Sequence, residues 1–167
     1  RDREKAETSN WEFHYDILNL LKKYQNKYNI IFKDYPNGYK NLWKKVLIDI
    51  SANKISYISN EKKVADLLAT SDLNIITWTS NNFFEALYSN ADIFVIEEDI
   101  YEDPFKDKLK DEIFYFKDEK SFLIKLENYL KIGNFYTCNK KNSQNFFLKF
   151  DSLNKRNELL NDSLSKL

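Results

Sequence analysis

Apolar residues recur along this chain with two spacings, and the alternation between them divides the sequence into elements. From Trp11 to Tyr28 they fall at Phe13, Ile17, Leu18, Leu20, Leu21 and Tyr24, one face of a helix with lysines opposite. Asn29 to Lys33 groups Ile30, Ile31 and Phe32 as a short strand, closed by the turn-forming run Asp34-Tyr-Pro-Asn-Gly38. Asn41 to Asn53 returns to helical spacing through Leu42, Val46, Leu47 and Ile50. Lys54 to Ser59 predicts a second strand through Ile55, Tyr57 and Ile58, and Glu61 to Thr70 a short helix.

The stretch from Ser71 to Asp99 carries the densest pattern. Asp72 to Thr77 reads as a buried strand rich in β-branched residues, and Ile93 to Ile96 as a second, wholly apolar one. Between them Thr79, Ser80, Asn81 and Asn82 are helix-capping residues, followed by apolar positions from Phe83 to Tyr88 suited to one helical face. Strand, helix and strand in that order make a parallel unit, with the helix N-terminus at the carboxyl end of the first strand. Open α/β sheets bind ligands at that end, and free helical N–H groups favour anions such as phosphate.

Asp99 to Lys110 is acidic and then basic, with Pro104 at an expected helix start. Glu112 to Phe116 predicts a last strand, and Asp118 to Leu130 a helix whose Phe122, Leu123, Leu126, Tyr129 and Leu130 share a face. This alternation predicts an α/β domain: a doubly wound parallel sheet of about five strands with helices on both faces. After Gly133 the chain turns polar, and Ser143 to Phe150 and Leu153 to Leu167 predict a helical C-terminal tail.

Composition narrows the function. A chain of 167 residues is one ordinary domain, and its 26 basic and 26 acidic side chains leave no net charge to attract nucleic acid or anionic lipid. No apolar run approaches the roughly 20 residues needed to span a bilayer, and no secretory signal opens the chain. Cys138 and His14 are each alone of their kind, which excludes an internal disulfide and a Cys/His zinc set. The cytoplasm is the expected compartment. Methionine is absent, which implies a piece of a longer protein. The only glycines are Gly38 and Gly133, so any nucleotide is held without a glycine-rich loop.

The order of several short motifs resembles a known family. A strand leading into Lys33-Asp-Tyr-Pro36, then Ala65-Asp-Leu-Leu-Ala-Thr-Ser-Asp72, then Thr79-Ser-Asn-Asn-Phe-Phe-Glu-Ala-Leu87, is similar to the C-terminal half of GT-B glycosyltransferases. Within that group it most resembles bacterial surface-carbohydrate and polyol-phosphate polymer transferases. The resemblance runs over residues 15 to 130. Tyr35 stands where many relatives have histidine, and Ala91-Asp92 where relatives usually have a Lys-Pro pair.

The resemblance implies a Rossmann-like nucleotide-binding domain at residues 11–132, preceded by a lead-in or linker at 1–10. The tail at 133–167 would pack on that domain or on a missing N-terminal half. The donor would be a nucleotide-diphosphate sugar, with no cofactor and no metal. Lys33, Thr79, Ser80, Asn81 and Asn82 would meet the diphosphate, Glu85 the ribose hydroxyls, and Ser59 and Asn60 the base. The acceptor site and catalytic base would come from the missing half, so the chain alone would be inactive and no catalytic residue is assigned. That half would also carry any peripheral contact with the inner face of the membrane.

Each candidate has a plainer reading. Thr79 to Asn82 caps a helix in any case, Glu85 is a helical carboxylate, and Lys33 ends a strand. Trp78 suits a core as well as a stacked base. The acidic run Glu97, Glu98, Asp99, Glu102 and Asp103 reads as a solvated loop before a metal site, and His14, lacking a placed partner, as a structural residue. The alternative function is a non-catalytic α/β interaction module that keeps the fold without transferase chemistry.

Overall fold

The computed structural model describes residues 2–34, 42–59, 63–77, 81–96, 112–135, 137, 138 and 140, with side chains from Trp11 onward except that of Asn81. Ten elements follow in order: α1 (Asp2–Lys22), β1 (Ile31–Lys33), α2 (Leu42–Asp49), β2 (Ser56–Ile58), α3 (Val64–Thr70), β3 (Leu73–Ile76), α4 (Asn81–Leu87), β4 (Asp92–Ile96), β5 (Phe114–Phe116) and α5 (Glu119–Ile132). The α/β class and every described strand agree with the apolar spacing. The turn at 35–38, the region around Pro104, the acidic run from Glu97 to Asp103 and the helices expected at 143–150 and 153–167 lie outside the described residues.

The strands form two small parallel sheets. β1 pairs with β2, Ile31 opposite Ser56 and Lys33 opposite Ile58. β4 lies between β3 and β5, with Ile75 opposite Phe94 and Phe94 opposite Phe114. The expected single sheet of about five strands is thus seen as two, with no ladder joining β1 to β3 among the described residues. Apolar spacing reports that a strand exists and which faces it buries. It does not report its neighbour, which the crossovers decide.

β4 explains its own sequence. All five of its residues are buried. Phe94 and Ile96 join a cluster with Phe13, Ile17, Leu18 and Leu21 of α1 and Phe122, Leu126 and Leu130 of α5. Ile93 and Val95 join a second cluster with Phe83, Ala86 and Leu87 of α4. A strand covered on both faces has no polar face to show, hence the unbroken apolar run. Phe94 centres the larger cluster, edge-on to Phe122 at 5.9 Å and to Tyr129 at 5.2 Å between ring centroids. Such pairs add about 0.5–1.5 kcal/mol each beyond the area they bury.

Element ends follow from local chemistry. α1 extends N-terminal of Trp11 to Asp2, into the stretch read as a lead-in, and ends at Lys22 rather than Tyr28. Turns replace the last predicted helical residues, and they bring the Tyr28 hydroxyl to donate to the Leu130 carbonyl at 2.7 Å. Asp118 caps α5, its Oδ1 accepting from the Ser121 amide at 2.8 Å. Gly133 closes α5 at φ 71°, its N–H donating to the Tyr129 carbonyl at 2.9 Å. No helix among the described residues is long and apolar enough to cross a membrane.

Candidate functional site

The carboxyl ends of the strands are where a parallel α/β arrangement places ligands. At the end of β1, the Lys33 ammonium donates to the Asp34 carbonyl at 3.0 Å and to the Ser59 carbonyl beyond β2. Asp34 is buried, and the Tyr57 hydroxyl donates to its Oδ2 at 2.7 Å. Lys33 and Ser59 are therefore brought together by a side-chain to backbone hydrogen bond. Two of the three ammonium hydrogens serve backbone carbonyls, and the third has no partner among the described residues.

At the end of β3 a second contact forms. His14 Nε2 lies 3.0 Å from Thr77 Oγ1. The imidazole also sits 5.5 Å from the Trp43 ring, which stacks on Trp11 at 4.5 Å and lies 5.4 Å from Phe32. His14 thus spans from the tip of β3 toward β1. The sequence left this histidine without a partner, because the contact crosses 63 positions and no local spacing announces it.

α4 starts at Asn81, and Asn82 and Glu85 are exposed while Phe83, Ala86 and Leu87 on the opposite side are buried. Glu85 is exposed, and among the described residues no hydrogen bond or ion pair ties it to Lys33. A helix of seven residues offers little dipole, so selectivity there falls to side chains. Thr79, Ser80, Trp78 and Asn60 lie outside the described residues, as does the side chain of Asn81. Among the described residues no group of three acidic, cysteine or histidine side chains could hold a metal ion.

The strongest polar constellation lies at the other end of the three-stranded sheet. Asp92, which opens β4, is fully buried. Its Oδ2 accepts from the Tyr129 hydroxyl, from the Thr137 amide at 2.8 Å and from the Thr137 hydroxyl at 2.9 Å, and its Oδ1 accepts from the Cys138 amide at 2.7 Å. Burial acts to raise the carboxyl's pKa, but the amides of Thr137 and Cys138 and the Tyr129 phenol outweigh it and hold the group below its ordinary value. Burial and then the neighbouring carboxylate push the Tyr129 phenol upward. The same two causes lead in pushing the Cys138 thiol up to about 11. Two residues on, the buried Lys140 ammonium donates to the carbonyls of Ser89 and Ala91, and burial lowers its pKa.

These contacts clamp the chain after α5 beneath the sheet. Both carboxylate oxygens are engaged by protein donors, so the constellation has the form of a structural lock. The sequence showed Ala91-Asp92 only as a departure from relatives. A carboxylate opening a wholly apolar strand was the available signal, because burial at that position demands donors.

Compared with known proteins, the chain matches no family model, and no curated protein or solved structure matches it. The site therefore rests on its own geometry. An open groove of about 440 Å³ lies between α1 and α2, with Asn19 and Lys22 facing Asp49 and Ser51. These residues end α1 and α2, so the groove sits away from the carboxyl ends of the strands.

Proposed function

We propose that the chain is the nucleotide-sugar donor-binding domain of a bacterial glycosyltransferase that builds a surface polysaccharide such as capsule, lipopolysaccharide or a teichoic-type polymer. The observation that carries this reading is the arrangement at the strand ends. Lys33 and Ser59 meet beyond β1 and β2, while α4 follows β3 with Asn82 and Glu85 exposed. The motif order from Lys33 to Leu87 supports the same reading. In it the two sheets are the halves of one doubly wound, Rossmann-like sheet, and the tail from 133 onward packs on the domain or on an N-terminal half.

A departing nucleoside diphosphate gains charge in the transition state, and donors fixed in advance stabilise that charge more than they stabilise the bound donor. Thr79, Ser80, Asn81 and Asn82 would supply those donors, with the remaining Lys33 hydrogen beside them. Glu85 would accept from the ribose hydroxyls, and Ser59 and Asn60 would border the base. An N-terminal half would supply the acceptor and the catalytic base, so this chain binds without turning over. The reaction runs in the cytoplasm in this reading.

Thermal-shift measurements with UDP, CDP and GDP test it. Stabilisation by one of them, abolished in both Glu85→Ala and Ser80→Ala, supports the proposal. The commitment of Lys33 to two carbonyls favours the second reading, a non-catalytic interaction module, for which no nucleotide stabilises the chain.

A further inference from the structure

We propose that a β-strand contributed by polypeptide N-terminal to α1 inserts between β1 and β3, parallel to both, and joins the two sheets in the order β2-β1-inserted strand-β3-β4-β5. In a parallel ladder successive residues turn their backbone groups to opposite neighbours. The Asp34 amide donates to the Ile58 carbonyl at 2.9 Å and the Ser56 amide to the Ile30 carbonyl at 2.9 Å, so the even-numbered residues of β1 face β2. Ile31 and Lys33 face away. The Asp92 amide donates to the Asp72 carbonyl at 3.0 Å, so Leu73 and Ile75 of β3 face away from β4. The outward N–H and C=O groups of these four residues have no strand partner among the described residues.

Both free edges lie under one roof. Ile30 and Phe32 beside β1, and Leu73 and Ile75 of β3, pack against the cluster that α1 covers with Phe13, Ile17, Leu18 and Leu21. Unpaired backbone groups beneath an apolar helix are costly, and a strand is the element that satisfies both rows at once.

Chirality names the source. α2 joins β1 to β2 on the face where α1 also packs, since Leu47 and Ile50 share the α1 cluster. With the face fixed, a right-handed crossover moves in one direction only. A strand followed by α1 and then β1 must therefore lie on the side of β1 opposite β2. α4, on the other face, carries β3 to β4 in the opposite direction. The two series diverge from a centre where no described strand pairs with β1 or with the outer side of β3, which is the place of the first strand in a doubly wound sheet.

The test compares the chain starting at Arg1 with the same chain extended through the residues encoded before it. Amide exchange by NMR should show Ile31, Lys33, Leu73 and Ile75 exchanging freely in the first. Extension should slow them at least about 100-fold while Phe32 and Asn74, which face β2 and β4, change little. Couplings across the hydrogen bonds of the Ile31 and Ile75 amides in the extended chain identify the acceptors directly, even if the shorter chain folds poorly. Acceptors upstream of Arg1 support the proposal. Acceptors elsewhere in the chain, protection already complete without the extension, protection that depends on protein concentration, or an upstream sequence lacking an apolar strand would each overturn it.

Discussion

The phenol of Tyr129 donates to the carboxylate of Asp92, tying the last described helix to the first residue of the central strand. The carboxylate gathers Thr137 and Cys138 as well, so one buried charge fixes β4, α5 and the chain beyond Gly133.

Replacing Asp92 should therefore be among the most damaging single changes. Asp92→Asn keeps the shape but meets four donors with one carbonyl, and leaves buried N–H and O–H groups unpaired. Urea denaturation should show a loss of about 2–4 kcal/mol at pH 7. The carboxyl's folded value lies below its ordinary 3.8, so its contribution is complete above that ordinary value. It fades as pH falls through the lower folded value, and the gap between wild type and Asp92→Asn should narrow there.

Cys138 should be a sluggish thiol. Burial and the Asp92 carboxylate push it up to about 11, which leaves roughly one thiolate in a thousand at pH 8. Iodoacetamide should modify it about 100-fold more slowly than a free cysteine peptide under the same conditions. A rate equal to the free peptide's would contradict the clamp.

Gly133→Ala should destabilise through two separable causes. The residue sits at φ 71°, and a Cβ would lie 2.9 Å from the Tyr28 hydroxyl. The expected loss is about 1–2 kcal/mol by thermal unfolding. In the Tyr28→Phe background most of the steric part should go, since the remaining contact at 3.3 Å is the flexible end of Lys27, and the backbone part, about 1 kcal/mol, should remain.

Lys33→Met should lower the melting temperature without any ligand, since it removes the donor to the Asp34 and Ser59 carbonyls. A hydrogen bond from a charged donor contributes about 1.5–3 kcal/mol where it is shielded from water, and less at this half-buried position. An unchanged melting temperature would show that these two hydrogen bonds add no net stability to the fold.

Much of the fold was legible because burial writes itself into spacing. The unbroken run Ile93 to Ile96 reports a strand covered on both faces, and the spacing of Phe122, Leu126 and Leu130 reports the α5 face that packs on Phe94. The end of α1 was misplaced because Tyr24 and Tyr28 continue its spacing while lying in turns, where Tyr28 reaches α5. The division into two sheets was hidden, since Ile31 and Ile75 look alike whether or not a neighbour bonds their backbone. The site was legible only in part. The motif order drew attention to Lys33 and Ser59 separately, but their contact, the Lys33 hydrogen bond to the Asp34 carbonyl and the pairing of His14 with Thr77 depend on the folded backbone.

Isothermal titration of the chain with UDP, CDP and GDP tests the central proposal most directly. One of the three should bind with a Kd at or below about 1 mM, and Glu85→Ala should weaken it at least about tenfold while leaving the unfolding curve unchanged. Absence of binding by all three, or binding indifferent to Glu85→Ala, would contradict a donor-nucleotide site at the strand ends.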